Sequence, residues 1–400
     1  MSETPRTASL VLVTPDGTVV GALPALPIAT PWWQETEPVV AAFRARYGVA
    51  VTILRLLEAE RPAPHGGHVT YLAEVREPLA AEPWSGVLDD QPLRLSYAKP
   101  GGPQADLDWA ETALIVQGVR LAGTPVQVRT WNLSSLWRIP VEGGDAWLKV
   151  TPPFLAPEGA LIEQLSGVAL PRLLGRDGNR ILLAEIPGED LYDAEPPILR
   201  EMIARLVETQ CGWIARTDVL LGLGLPDWRA PALGAAIAST FERTADALSD
   251  VERGVLARFV RDLPARFAQL AACGLPDTLI HGDFHPGNFR GDGAGLVLLD
   301  WADSGVGHPL LDQSAFLSRV APGDVAALQA HWNAAWRVGI PGCDPDRAAR
   351  LIAPIAAARQ AVIYYRFLDA IEPSEHPYHR ADPVAWLKRT VALLYADNAC

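Results

Sequence analysis

Lysine is almost missing from this chain of 400 residues, which has three: Lys99, Lys149 and Lys388. Basic residues number 34 against 47 acidic ones, a formal net charge of −13. Sequence-independent grip on nucleic acid depends on Lys and Arg neutralising phosphates, so that class of partner is excluded. An anionic membrane surface is an equally poor match. The four cysteines, Cys211, Cys273, Cys343 and Cys400, lie far apart with no CxxC. That spacing offers neither a zinc site nor a disulfide framework and reads as reduced thiols. No apolar stretch reaches the ~18–20 residues of a membrane span. No basic segment leading into an apolar run follows Met1, so no signal peptide is expected. The expectation is a soluble, cytoplasmic protein.

Apolar residues make up 49% of the chain and charged residues 20%, enough to bury large cores. The 35 prolines and 33 glycines follow no period, which excludes collagen-like and low-complexity readings. The length favours two to three domains, and no internal repeat is visible. Residues 1–110 read as a small α/β unit. Leu10 to Val13 and Thr18 to Val20 flank a Pro15-Asp16-Gly17 turn, a hairpin signal. Glu37 to Tyr47 has helical spacing (Val39, Val40, Phe43, Tyr47) and stops at Gly48. Strand-like runs follow at Val51 to Leu57 and His68 to Val75. The stretch Tyr97 to Pro103, rich in Pro and Gly, reads as a linker.

Residues 120–188 carry strand candidates at Val126 to Trp131, Leu136 to Pro140, Ala146 to Val150 and Arg180 to Ile186. One helix, about Pro157 to Ser166, interrupts them, which predicts a mostly antiparallel sheet with a helix on one face. Residues 189–400 read as a third, helical unit, in which helical periodicity dominates from about Pro197 and breaks once, between Thr278 and Asp300.

That break holds the most informative stretch, His281-Gly282-Asp283-Phe284-His285-Pro286-Gly287-Asn288. It follows the apolar pair Leu279-Ile280, and Gly293 and Gly295 lie in the turn beyond. A second apolar run, Leu296 to Leu299, ends in Asp300-Trp301. Phosphoryl transfer needs one carboxylate to orient and deprotonate a hydroxyl, and two oxygen ligands on adjacent loops to hold Mg²⁺ against phosphates. Asp283 has the position of the base. Asn288 and Asp300 are hard oxygen ligands suited to Mg²⁺. Three fixed residue types in H-x-D-x₄-N arise by chance at roughly 10⁻⁴ to 10⁻⁵ per starting position.

A phosphate-binding lysine belongs earlier, on a strand, with a glutamate partner from a nearby helix. Lys149 lies near the end of Ala146 to Val150, and Glu158 opens the next helix, with Glu163 as a substitute. A carboxylate in a helix's first turn also favours the macrodipole, the bland account of Glu158. No glycine-rich phosphate loop is present. Where one would lie, Asn132-Leu133-Ser134-Ser135-Leu136 offers backbone amides and the Ser134 and Ser135 hydroxyls, although serines are common in turns for turn reasons. Leu182 to Gly188 leaves a strand for a polar turn, and the backbone at Glu185 and Ile186 suits an adenine-contacting hinge. An edge strand closed by a Pro-Gly turn has the same pattern.

The segments around Lys149, Glu185 to Gly188, His281 to Asn288 and Asp300 resemble the aminoglycoside phosphotransferase and choline kinase-like family, relatives of the protein kinases. The resemblance spans about residues 125 to 390 and is specific at the catalytic loop. It implies an α+β, two-lobed protein-kinase-like core, with a five-stranded antiparallel small lobe, a helical large lobe and ATP between them. A small α/β accessory domain precedes that core. Carried over, Lys149 holds the α- and β-phosphates of ATP, Glu158 orients that lysine and Asp283 is the base. Asn288 and Asp300 bind Mg²⁺, His281 braces the loop, and His285 receives no catalytic duty. Asp300 is followed by Trp301-Ala302 rather than Phe-Gly. With no activation segment before Gly305-Val306-Gly307-His308-Pro309, the acceptor is expected to be a small molecule and not a protein. Residues 1–110 resemble a Nudix-type fold, but Ala45 and Arg46 stand where that family's metal-binding glutamates belong, so this domain reads as catalytically empty.

Two acidic groups suggest where a cationic hydroxyl acceptor, such as an aminoglycoside or another amino-alcohol, would bind. One is Glu189, Asp190, Asp193 and Glu195. The other is Glu372, Glu375 and Asp382, interleaved with Tyr378 and Trp386. The competing reading is a non-catalytic pseudokinase or ligand-binding module of the same fold, suggested by the missing glycine-rich loop. A metallophosphoesterase would need further Asp and His ligands upstream, and no Asp-x-His exists there.

Overall fold

The computed structural model describes residues 5–155, 157–165, 169–292 and 295–397. Ser166, Gly293 and Cys400, which figure in the sequence analysis, lie outside the described residues. The chain divides into two compact units. The first comprises residues 1–156, 172–185 and 366–381, and the second the remainder.

The first unit contains two sheets. Strands β1 (Arg6–Val13), β2 (Val19–Ile28), β3 (Val51–Ala59) and β4 (Gly67–Val75) form one, in the order β2-β1-β4-β3. The central pair β1–β4 is parallel, with Arg6 opposite Gly67, and the outer pairs are antiparallel. Alternation sends Ala8, Leu10 and Leu12 of β1 into a core with Trp33, Val39 and Phe43. The helix α1 (Glu37–Tyr47) has Pro38 in its first turn and Arg44 and Arg46 in its last. It ends where Gly48 turns left-handed at φ 75°.

The second sheet has five antiparallel strands: β5 (Val126–Trp131), β6 (Ser134–Val141), β7 (Gly144–Val150), β8 (Leu173–Asp177) and β9 (Arg180–Ala184), ordered β5-β6-β7-β9-β8. Its buried face takes Trp137 and Ile139 from β6, Ala146, Leu148 and Val150 from β7, and Leu182 from β9. Ala110 and Leu114 of the helix α2 (Gly102–Val116) cover it. This helix corrects the linker expectation. Tyr97 and Ala98 are buried, and the Pro-Gly-rich stretch is a helix start with Pro103 in the first turn. Gly102 packs so tightly that a Cβ there would sit 1.9 Å from the Ser96 carbonyl oxygen.

The two sheets share hydrogen bonds. Thr36 N–H donates to Val128 O and Thr130 N–H to Gln34 O. The buried Gln127 amide accepts from Ile53 N at 2.8 Å and donates to Ile53 O at 2.7 Å.

The second unit is mainly helical. It holds α3 (Pro157–Gln164), α4 (Pro196–Trp213), α5 (Thr217–Gly222), α6 (Ala230–Thr244), α7 (Asp250–Ala271), α8 (Leu310–Leu317) and α9 (Val325–Gly339). Most of α10 (Pro345–Ala370) and all of α11 (Asp382–Asp397) belong to it too. Helix α7 starts at a capping box in which Ser249 and Glu252 satisfy each other's backbone N–H.

Two small sheets interrupt the helices. Strands β10 (Glu189–Asp190), β13 (Phe289–Gly291) and β14 (Leu296–Leu298) form one. The other consists of β11 (Asp227–Trp228), β12 (Thr278–Ile280) and β15 (Gly305–Gly307). The two apolar runs flanking the catalytic-loop motif thus become β12 and β14, in different sheets. An aromatic cluster packs beneath them. Phe284 stacks on Phe316 with centroids 5.1 Å apart and meets Phe289 and Trp332 edge-on. Among the described residues, no helix is long and apolar enough to cross a membrane.

Candidate active site

The loop after β12 is held from below by a buried carboxylate. Asp312, on α8 and fully buried, accepts the backbone N–H of His281 at 2.9 Å and of Gly282 at 2.8 Å. The Gln210 side chain donates to it at 2.9 Å. Burial pushes the Asp312 carboxyl up, against the opposing pull of the His281 ring and these N–H donors. Gly282 is required here. At φ +93°, a Cβ would lie 2.0 Å from the Asp303 carbonyl oxygen.

His281 is fully buried against Trp301, and its Nε2–H donates to Leu299 O at 2.8 Å. Burial pushes its pKa down, so it sits as neutral imidazole with the proton on Nε2. The bond ties the loop to the strand end that precedes Asp300.

Asp283 projects from the same loop with 44% of its side chain exposed, while Phe284 beside it is fully buried in the aromatic cluster. Burial pushes the Asp283 carboxyl up, but the His285 hydrogen bond and the neighbouring His285, His281 and Arg319 side chains outweigh this and hold it below the ordinary carboxylate range. His285 accepts Gly287 N–H at Nδ1, 3.0 Å away, which leaves Nε2–H directed at Asp283 Oδ2 at 3.5 Å. Sequence reasoning assigns His285 no duty. The available signal is its place two residues beyond Asp283, with a Pro-Gly turn to bring the ring back.

Asn288 donates through Nδ2 to the Asp283 carbonyl at 2.8 Å and to Oδ2 at 3.4 Å. With its nitrogen so engaged, the amide presents oxygen as its other polar end. Asp300 is exposed and is the one non-glycine residue with positive φ (57°) among the described residues. Its neighbours hold it there. Leu299 N–H donates to Asn288 O at 2.8 Å, Leu299 O accepts from His281, and Trp301 N–H donates to Glu158 Oε1 at 3.1 Å. Asn288 is thus bonded to Asp283, and Asn288 and Glu158 are bonded to the backbone on either side of Asp300. Among the described residues, no three His, Cys, Asp or Glu groups gather into a cation cage. A pair of oxygen ligands suits Mg²⁺, which keeps waters and takes substrate phosphates as further ligands.

The other expected site residues stand as follows. Lys149 lies on β7 between Leu136 and Ile181, and the alternation that buries Leu148 and Val150 turns it to the opposite face of the five-stranded sheet. Ser134 and Ser135 open β6. The Ser134 hydroxyl accepts from the Trp131 indole and the buried Ser135 hydroxyl from the Trp137 indole. Glu185 follows β9, exposed, with its carboxylate accepting from the Trp147 indole. Ile186, next in the chain, is half-buried.

One expectation fails. Glu372 and Glu375 do not form a solvated acidic patch: both are buried. Glu372 accepts from two N–H groups of Arg94, the shortest bond 2.7 Å, and has Arg55 at 3.7 Å. Glu375 accepts Leu56 N–H at 2.8 Å. Burial pushes the Glu375 carboxyl up to about 8.

A helical body carrying this loop, in one chain with a five-stranded antiparallel sheet, defines a protein-kinase-like phosphotransferase. Residues 135–350 match the model of the phosphotransferase enzyme family, more than half of the chain, and the protein belongs to that family. Its members transfer phosphate to hydroxyl groups. Among solved structures, macrolide 2'-phosphotransferase type I is similar at 16% identity and TM-score 0.50, over 72% of this chain and 97% of that one. A choline/ethanolamine kinase family protein from Mesorhizobium loti is similar at 18% identity, TM-score 0.49, over 72% and 95%. The macrolide 2'-phosphotransferase of Brachybacterium faecium stands at 17%, 0.48, over 72% and 98%. At these identities the likeness is one of fold. No curated protein matches the sequence.

Proposed function

We propose that the protein transfers the γ-phosphate of ATP to a hydroxyl of a small molecule, with Asp283 as the base. The observation that supports this most is the ionised, half-exposed Asp283 carboxylate, with Asn288 bonded to Asp283 and to the backbone of Leu299, which precedes Asp300. In the reaction, Asp283 orients the acceptor hydroxyl and takes its proton. The oxygen bonds to the γ-phosphorus, the bond from that phosphorus to the β–γ bridging oxygen breaks, and ADP leaves with the electron pair. Lys149 holds the α- and β-phosphates, and Glu158 serves it. Backbone at Glu185 and Ile186 contacts the adenine. The turn at Asn132-Leu133 offers the phosphates its amides, and the Ser134 and Ser135 hydroxyls, which accept indole N–H groups, keep their own O–H to donate. Asn288 through its oxygen and Asp300 through its carboxylate hold Mg²⁺, which neutralises charge on the phosphates when bound.

Glu189, Asp190, Asp193 and Glu195 are all exposed, which supports a cationic acceptor of the amino-alcohol or aminoglycoside class. With Glu372 and Glu375 buried, they take no part in that patch.

The test needs no acceptor. ATP is titrated by calorimetry into the purified protein with and without Mg²⁺, and into Lys149→Ala and Asp300→Ala. Micromolar binding that needs Mg²⁺ and is lost in both variants is expected. No binding by the unaltered protein contradicts the reading.

A further inference from the structure

Strands β5 and β6 meet in a two-residue turn, Asn132-Leu133, where Trp131 pairs with Ser134. No glycine occurs from Trp131 to Arg138, so the turn lacks the backbone freedom of a glycine-rich flap. The strands are ordered by their place in the five-stranded sheet. What holds the turn itself comes from elsewhere in the first unit.

The Asn132 side chain is 3% exposed. Its Oδ1 lies 2.9 Å from His379 Nε2, and its Nδ2 donates to Glu375 O at 3.4 Å. The Trp131 carbonyl accepts from the Tyr97 hydroxyl at 2.9 Å. Its ring meets those of Tyr378 and His379, each with centroids 5.6 Å apart. Tyr378 in turn packs edge-on against Trp33 and belongs to the core of the four-stranded sheet. Glu375 closes the circuit by accepting Leu56 N–H from β3. Residues 372–379, distant in sequence, are thus wedged between the N-terminal sheet and the tip of the hairpin.

We propose that the N-terminal sheet and residues 372–379 form a brace that fixes the Asn132-Leu133 turn, with Asn132 and His379 as positioning residues for the nucleotide phosphates. This rests on the nucleotide reading above and gives the N-terminal sheet a task in it. A loop that must be ordered on binding loses about 1–2 kcal/mol of backbone entropy per residue. A turn already fixed presents its amides without that cost.

The test uses the full chain. Asn132→Ala and His379→Ala are compared with His379→Gln, whose amide N–H can still donate to Asn132. ATP affinity and melting temperature are read side by side. The alanine variants are expected to bind ATP roughly tenfold more weakly, with His379→Gln close to the unaltered protein. Folded alanine variants that bind ATP as tightly as the unaltered chain overturn the brace and leave the nucleotide reading standing. An unaltered chain that does not bind ATP overturns both. Should the alanine variants fail to fold, backbone relaxation of the unaltered, nucleotide-free protein decides. An order parameter for Leu133 near the rigid value of about 0.85 supports the brace, and one below about 0.6 contradicts it.

Discussion

The Asp312 carboxylate accepts the backbone N–H of His281 from inside the core, at 2.9 Å, and its second oxygen takes the N–H of Gly282. The loop is therefore positioned by its peptide groups, and the half-exposed Asp283 inherits its place from a residue buried in the core. Asp312→Ala would strand two buried backbone donors and the Gln210 amide, at about 1–3 kcal/mol each. The expected result is a loss of several kcal/mol in urea unfolding together with loss of turnover. Asp312→Asn, which keeps one acceptor oxygen, should fall between. A fully stable Asp312→Ala protein would contradict this account.

Gly282→Ala tests the same hinge from the other side. The methyl would meet the Asp303 carbonyl, and the left-handed conformation costs a non-glycine residue about 1–2 kcal/mol. Backbone there must shift, so turnover should drop more than the change in melting temperature alone would explain. Unchanged kcat would show that the loop tolerates the displacement.

Much of this site is legible in the sequence because it is local. Asp283 and Asn288 lie five residues apart, and the spacing that suggests them is the spacing that lets Asn288 bond the Asp283 carbonyl. Asp300 follows an apolar strand, a pattern visible without coordinates. Helix α2 escapes because Pro100-Gly101-Gly102-Pro103 carries the same residues whether it opens a helix or a loop. Strand β8 escapes because its five residues, Leu-Leu-Gly-Arg-Asp, alternate too briefly to register. The misreading of Glu372 and Glu375 has a different origin. Their partners Arg94, Arg55 and the Leu56 amide lie some 300 residues earlier, and no local pattern distinguishes a solvated carboxylate from one buried against distant arginines.

Glu375 gives a prediction in stability. Burial raises its carboxyl from the ordinary 4.5 to about 8, so between those values the folded chain holds a proton that the unfolded chain has released. Stability must then fall as pH rises from about 4.5 to 8, as far as this group is concerned. Glu375→Gln keeps an acceptor for Leu56 N–H and removes the titration. Its melting temperature should decline less over that window than the unaltered protein's, and parallel profiles would rule out the assignment.

For Asp283 the direction is opposite. Its folded pKa is depressed, so its share of stability is present above the unfolded value near 3.8 and is lost as pH falls through the lower folded value. The acid limb of the kcat profile should accordingly lie below the ordinary carboxylate range. His285→Ala removes the ring that donates to Asp283 and should move that limb to higher pH. A limb that stays in place would separate His285 from the base.

The most direct test of the central claim is Asp283→Asn, assayed for phosphate transfer to an amino-alcohol acceptor identified with the unaltered enzyme, alongside ATP titration. Losing the base should lower kcat by about 10²–10⁴-fold, while ATP affinity stays within about threefold of the unaltered protein. Turnover undiminished in Asp283→Asn would remove Asp283 as the base and with it the mechanism built around the loop.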